Sequence, residues 1–295
     1  MYYIVYSFFY LLSLLPWFVL YLLSDFVFVL MYYVIGYRKK VVMNNLAIAF
    51  PDKSIKERKK IAKEFYGNLI DTFIETIKLI SISAKEFDKR FIIKSPEVLK
   101  FINETNQSVQ FHSGHFFNWE FVNLGLAKNL SFSWLGVYIP VANKVIDKII
   151  LKMRSKFGTI LIPATTFRTK FHQYANTKYA LGLAADQNPG SPDNNYWLLF
   201  FNKLTPFVKG PEKGAKRNNT IVVLTDFYKE RRGYYAMELK VLTDKPNETV
   251  DGAITKALVS FIENAIKERP ANYLWSHRRW KHQFNEEKHH HLLVK

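Results

Sequence analysis

The stretch FHSGHFFNWE, residues 111–120, sets two imidazoles (His112 and His115), one amide (Asn118) and one carboxylate (Glu120) among three Phe and a Trp. Two chemistries fit these types. An imidazole oriented by a carboxylate is a general base: the acid fixes the tautomer and stabilises the imidazolium as a proton arrives, most simply from a hydroxyl that then attacks an acyl carbonyl. His112 and His115 would alternatively be two ligands of a metal, but no third ligand stands at a convincing spacing. The plain reading is that Asn118 caps, Trp119 packs and the charges decorate a surface. The acid–base reading carries a geometric condition. On one continuous helix, residues five apart point about 140° away from each other. His115 and Glu120 therefore meet only if His115 lies in a loop after a strand and Glu120 on the following helix, with Gly114 easing the turn.

The surrounding pattern supplies such elements. SVQFH (108–112) reads as a strand and 117–127 as a helix. FSWLGVYI (132–139), TILIP (159–163) and YALGLAA (179–185) read as strands, alternating with helices over 142–157, which stops at Gly158, and 165–175. IVVLTDFY and YYAMELKVL, joined by KERRG, read as a β-hairpin, and 249–268 as a helix before Pro270. Upstream, Ser54 and Glu57 form a capping-box signature ahead of an amphipathic helix over 54–81. Ser83 and Glu86 repeat that signature, and Ser95-Pro96 opens another helix. The alternation predicts an α/β fold with a mixed sheet flanked by helices. In such folds the carboxyl ends of strands are where chemistry is presented.

Charge is distributed unevenly. Residues 1–37 hold one ionisable acid or base, Asp25; all 42 Lys and Arg and 24 of the 25 acids lie at or after Arg38, giving that remainder a net charge of +18. A body this basic calls for an anionic surface or ligand. Residues 1–24 carry no charged side chain, long enough to cross a hydrocarbon core of about 30 Å, with Pro16 as a kink. RKK at 38–40 marks the following flank as cytoplasmic. A cleaved signal peptide fits poorly, since there is no basic n-region and no small-residue cleavage site. The expectation is a retained membrane anchor and a membrane partner rather than nucleic acid. Residues 26–37 read equally as the end of a tilted span or as an interfacial helix. The chain has no cysteine, which excludes disulfides, thiolate metal sites and a Cys nucleophile.

Several blocks together resemble one family. GHFFNWE is similar to the His-x4-acid motif of the bacterial lipid A biosynthesis (late-step) acyltransferases, a branch of the lysophospholipid acyltransferase superfamily. YRKKVVMNNLAIAFPDKS, GVYIPVANKVIDKIILKMRSKFGTILIP, LGLAADQNP, FFNKLTPFVKGPEKGAK and NYLWSHRRWK resemble further blocks of that family in the expected order. One departure is Phe117, where the family usually has Gly. The resemblance implies a glycerol-3-phosphate acyltransferase-like α/β domain behind an N-terminal transmembrane helix, at the cytoplasmic face of the bacterial inner membrane. It implies an O-acyltransferase that moves a fatty acyl chain from acyl-carrier protein, or acyl-CoA, to a hydroxyl of a lipid A precursor, with no cofactor and no metal. It makes His115 the general base and Glu120 its orienting partner. Arg154 would stabilise developing negative charge or hold a phosphate, against the plain reading of a solvated helix face. Asp186 would position the acceptor or assist His115, against that of a turn cap. Asn118, Gln187, Gly210 and Glu212 complete the expected substrate contacts, the last two because a glycine and a helix N-terminus can hold an anion.

The expected organisation is an anchor (1–37), a helical segment (38–106), the acyltransferase domain (107–283) and a polar tail (284–295), with KHHHLLVK solvated. SHRRWKH (276–282) reads as a surface strand, a headgroup contact or an RNA-like basic segment. WLLFF (197–201) reads as buried strand more readily than as an acyl pocket. Two rivals stay open: an acyltransferase acting on a lysophospholipid, an amino-acid lipid or a mannosylated phosphoinositide, and a non-enzymatic, membrane-tethered basic binding protein.

Overall fold

The computed structural model describes residues 1–294. Its strands are β1 (Phe91–Ile93), β2 (Val109–Ser113), β3 (Ser133–Tyr138), β4 (Ile160–Pro163), β5 (Tyr179–Ala184), β6 (Tyr196–Phe200), β7 (Lys203–Phe207), β8 (Ile221–Arg231) and β9 (Tyr234–Thr243). The α-helices are α1 (Tyr2–Leu14), α2 (Trp17–Val29, running on as a π-helical turn to Ile35), α3 (Lys39–Ala49), α4 (Ile55–Leu79), α5 (Ala84–Asp88), α6 (Pro96–Glu104), α7 (Trp119–Asn129), α8 (Lys144–Arg154), α9 (Phe167–Phe171), α10 (Gly210–Asn218), α11 (Ala253–Glu268) and α12 (Glu286–His289).

Seven strands form one sheet in the order β1-β9-β8-β2-β5-β3-β4. β8, β2, β5, β3 and β4 are mutually parallel, and the β8–β9 hairpin makes the sheet mixed. The chain leaves β2 toward β3, and β5 later fills the space between them. The loops after β2 and β5 thus emerge side by side at the same end of the sheet, in register at Ser113 and Ala184. This is the crevice where α/β sheets bind ligands. Phe111 and Val109 on β2 join a core with Phe65, Tyr66, Phe121 and Ile262 that runs from α4 to α11.

The expected α/β fold with a mixed sheet is present. The capping box at Ser54 and Glu57 forms, and the β8–β9 hairpin closes where expected. Some expectations need correction. Pro16 ends a helix rather than kinking one, so the helix long and apolar enough to cross a membrane is Trp17–Ile35, not residues 1–24. Residues 276–282 are irregular rather than a strand, and Arg279 is buried, its guanidinium 4.2 Å from the Phe207 ring centroid. Residues 284–294 are not a solvated tail. His289 is buried and stacks on Trp197, and Val294 donates its N–H to the Trp197 carbonyl. Trp197 and Phe200, inside WLLFF, are fully buried in the β6–β7 hairpin, as ordinary strand.

A buried carboxylate joins α2, α4, β9 and the N-cap of α7. Glu75 of α4 is completely buried and accepts from Tyr21 (3.0 Å), Tyr235 (2.5 Å) and Asn118 Nδ2 (3.1 Å). Burial pushes its carboxyl up to about 7 from the usual carboxylate range. A raised folded-state value means that native Glu75 keeps its proton between pH 4.5 and 7 while the unfolded chain gives it up. Stability from this group is then fully present below pH 4.5 and lost as pH rises through 7, by up to about 3 kcal/mol. Thermal melts of wild type and Glu75→Gln in detergent from pH 4.5 to 8 are expected to show the variant gaining Tm relative to wild type as pH rises. A constant difference would mean that Glu75 does not titrate in this window.

Candidate active site

His115 stands in the loop between β2 and α7, as the sequence requires of a base. That loop is pinned by the chain near the C-terminus: Leu274 N–H donates to the His115 carbonyl and Phe117 N–H to the Asn272 carbonyl, each at 3.0 Å. Phe117, where a glycine was expected, is accommodated by complete burial, with its ring between Phe65 and Trp119.

The carboxylate that meets His115 is Asp186, not Glu120. Asp186 Oδ1 lies 2.5 Å from His115 Nδ1, and Oδ2 accepts the His115 backbone N–H at 3.2 Å. Burial alone would raise the Asp186 carboxyl, but the charge and hydrogen bonds of His115, with a further bond from Tyr273, outweigh it and hold Asp186 down at about 2. Asp186 is thus ionised throughout the neutral range and fixes the proton on Nδ1, leaving Nε2 as the free basic nitrogen. The pair forms because β2 and β5 are neighbours and their loops leave together, a relation across 71 residues.

Glu120 has a different partner. Arg154 Nε bonds both of its oxygens (3.1 and 2.9 Å) and Nη2 bonds Oε1 at 2.6 Å, while Trp119 Nε1 donates to Oε1 at 3.0 Å. The acid sits in the first turn of α7 and the arginine in the last turn of α8, each at the helix end whose dipole favours its charge. Arg154 is therefore no solvated helix residue; its Nη1 has no protein partner among the described residues.

His115, Glu120, Arg154 and Gln187 share one cavity of about 390 Å³. Ser113, Asn123, Tyr138 and Thr225 add further polar groups to its lining, and Phe111, Val122, Leu126, Trp134 and Leu161 supply apolar wall. Gly182 leaves room there for the Trp134 indole, which a Cβ would meet at 2.6 Å. A second cavity of about 530 Å³ lies between the end of α2, α4 and residues 274–277, with Arg38 and His277 in its wall. Trp119 and Gln187 line both cavities, so they form the partition between them. Burial lowers His277 to about 4, so it is neutral at pH 7, and its Nε2 accepts from the Asn188 N–H.

The remaining expected contacts lie elsewhere. Asn118 is buried, caps α7 by accepting from Glu120 N–H, and turns its amide nitrogen to Glu75, away from the cavity. Glu212 is buried and spends its oxygens on Gly252 N–H, Thr255 N–H and the Thr255 hydroxyl, tying α10 to the start of α11. Gly210 is exposed, and neither residue lines the cavity around His115. His112 does not converge with His115. One residue along β2 from the cavity-lining Phe111 and Ser113, it is buried on the other face against Gln110, with its pKa lowered to about 4 by burial. Sequence reasoning missed Trp119 as a partition and Tyr273 as a partner of Asp186; Tyr273 lay inside the quoted NYLWSHRRWK block without a role.

The sequence profile described as "Bacterial lipid A biosynthesis acyltransferase" matches residues 1–282. The chain belongs to that family. It is 24% identical over 235 residues to "Lipid A biosynthesis acyltransferase 2" of Shigella flexneri, covering 78% of this chain and 74% of that protein. It is 23% identical over 245 residues to "Lipid A biosynthesis palmitoleoyltransferase" of Escherichia coli (strain K12), covering 83% of this chain and 79% of the relative. As a member of the family this acyltransferase is an enzyme that needs an acyl donor and a lipid acceptor, and its apolar N-terminal helix suggests attachment to a membrane.

Proposed function

We propose that this acyltransferase transfers a fatty acyl chain from acyl-carrier protein to a hydroxyl of a lipid A precursor at the cytoplasmic face of the inner membrane. The observation that carries the chemistry is the His115–Asp186 pair, with His115 in the wall of a cavity that also holds Arg154 and a set of apolar side chains. His115 Nε2 takes the proton of the acceptor hydroxyl. The alkoxide oxygen attacks the thioester carbonyl, the carbon–sulfur bond breaks, and the imidazolium returns its proton to the departing thiolate. Asp186 stays ionised and stabilises the imidazolium between the two transfers. Arg154, held in place by Glu120, supplies a fixed positive charge for the oxyanion or for a phosphate of the acceptor. Gln187 and Trp119 stand where the two cavities meet, so a donor chain in one and an acceptor in the other come together at His115. The basic body suits both a phosphorylated lipid and an acidic carrier protein.

The test is an assay of the detergent-solubilised enzyme with acyl-carrier protein and CoA thioesters, each offered to a lipid A precursor and to lysophospholipid, with products read by mass spectrometry. Acylated lipid A precursor formed preferentially from the carrier protein is expected. Turnover of lysophospholipid alone would replace the acceptor.

Cavity depth adds a further expectation. The Trp134 indole, hydrogen-bonded to Asn123 Oδ1 at 3.0 Å, forms part of the cavity wall. Trp134→Ala is expected to shift product mass toward longer chains by several methylenes. An unchanged chain-length profile would place the acyl chain in the other cavity.

A further inference from the structure

The N-terminal helices pose a problem of depth. α1 and α2 are separated by two extended residues, Leu15 and Pro16, and each lies along the catalytic domain rather than projecting from it. Their inner faces pack Leu12, Leu20 and Leu23 against Ile70, Ile74 and Ile77 of α4, and charged and polar groups of that domain also bind them at several points. Lys148 and Lys152 of α8 sit 4.4 and 4.1 Å from the Tyr2 and Tyr6 ring centroids. At the break, Lys78 donates to the Ser13 and Leu15 carbonyls at 2.9 and 2.8 Å, and the Ser81 hydroxyl also donates to Ser13. Trp17 donates to Glu86 and carries the Arg90 guanidinium 3.8 Å from its ring centroid. Further along, Ser24 donates to Asp71, and Arg232 joins Asp71 to Asp25. The outer faces are the reverse. Ile4, Phe8 and Leu11 on α1, and Phe18, Leu22 and Phe26 on α2, recur at helical spacing and are exposed.

A helix crossing the hydrocarbon core would carry these neighbours with it. Lys78, Glu86, Arg90, Asp71, Arg232, Lys148 and Lys152 would then stand at hydrocarbon depth, where each charge costs about 2.5–3.5 kcal/mol even on the mildest scales. α1, at 13 residues, spans only about 20 Å and cannot cross alone. Lying flat resolves both difficulties. The greasy stripes then enter the headgroup–acyl boundary, while the cations and ion pairs stay at or above headgroup level. We propose that residues 1–35 do not span the bilayer but form a bent, in-plane platform, fused to the catalytic domain, whose partner is the surface of one leaflet. The cavity beside Val27, Met31, Arg38 and Phe73 then opens at the level of that leaflet, so that a lipid acceptor need not leave the membrane to reach the Trp119 partition. This inference rests on membrane attachment and is independent of the acyl-transfer chemistry.

The absence of cysteine makes sidedness measurable on the full chain. One variant carries a Gly-Ser-Cys extension before Met1 and another carries Lys245→Cys, at an exposed position of the catalytic domain. Each is expressed in bacterial membranes and labelled with a membrane-impermeant maleimide in sealed right-side-out and inverted vesicles, before and after a high-salt wash. The expected result is that both sites label in the same vesicle orientation, both lose labelling in the other, and the protein stays with the pellet after the wash. Labelling of the two sites from opposite sides would overturn the platform and establish a span. Release of the protein by salt alone would overturn the platform together with the membrane reading beneath it. A paired Phe8→Asp and Leu22→Asp variant is expected to move at least half of the protein from pellet to supernatant while its Tm in detergent is retained; full retention in the pellet would overturn the assignment of these stripes as the membrane face.

Discussion

Replacing His115 is expected to lower kcat for acyl transfer by about 10³-fold, equivalent to about 4 kcal/mol of transition-state stabilisation. A hydroxyl is far too weak an acid to give up its proton unaided at neutral pH, and His115 is the cavity-lining imidazole whose tautomer a buried carboxylate fixes. The choice of substitution matters because Asp186 is buried and held ionised by its neighbour. His115→Ala removes the base and also leaves Asp186 with one partner fewer, so it is expected to lose stability as well as activity. His115→Gln can keep a donor near Asp186 while having no titratable nitrogen. Both variants are expected to remain with the membrane fraction, because the apolar N-terminal helices are tied to α4, α8 and the β8–β9 hairpin rather than to the His115 loop. The measurement is single-turnover acyl transfer, with membrane recovery and Tm as controls. Full activity in a folded His115→Gln variant would remove the mechanism. Such a result, joined to salt-sensitive binding of nucleic acid, would favour a basic binding protein instead.

Local pattern made the scaffold legible, and non-local pairing hid the site's internal arrangement. The strand–helix alternation from β2 to β5 could be read because each strand is an apolar run bounded by turn residues and each helix has a polar face. β1 is three residues long, too short for any period to register. The β6–β7 hairpin was concealed by its turn. Phe201 and Asn202 both adopt positive φ, at 50° and 56°, a conformation usually announced by Asn-Gly, and Pro206 argues against a strand. The docked C-terminus was missed because a run of Lys and His reads as solvated, whereas His289 finds the indole face of Trp197 and the Asp193 carboxylate. At the site, the five-residue spacing of His115 and Glu120 drew the eye to a local pair. The true partner of His115 depends on which strand lies beside β2, and the order of strands in a sheet is not written in the period of any one of them.

That exchange of partners gives the second large effect. If the imidazole is oriented by Asp186, Asp186→Asn is expected to lower kcat by about 10³-fold with little change in KM. The amide can donate to Nδ1, which drives the proton onto Nε2 and turns the base into a donor, and it offers no charge to stabilise the imidazolium. Glu120→Gln should behave differently. It weakens a bidentate pair with Arg154 on the cavity wall, so the guanidinium loses its fixed position and a compensating charge. The expected outcome is a loss of about 1–3 kcal/mol of stability, and a raised KM for the acceptor, with the pH profile of kcat unmoved because His115 keeps its partner. Steady-state kinetics of the two variants from pH 5 to 9 separate the arrangements. Should Glu120→Gln flatten the pH profile while Asp186→Asn leaves it intact, the pairing seen in the structure would not be the one that operates in catalysis. Should Asp186→Asn alone lower kcat, then the acid that serves His115 comes from the neighbouring parallel strand, and the conspicuous acid of the His-x4-acid motif serves an arginine.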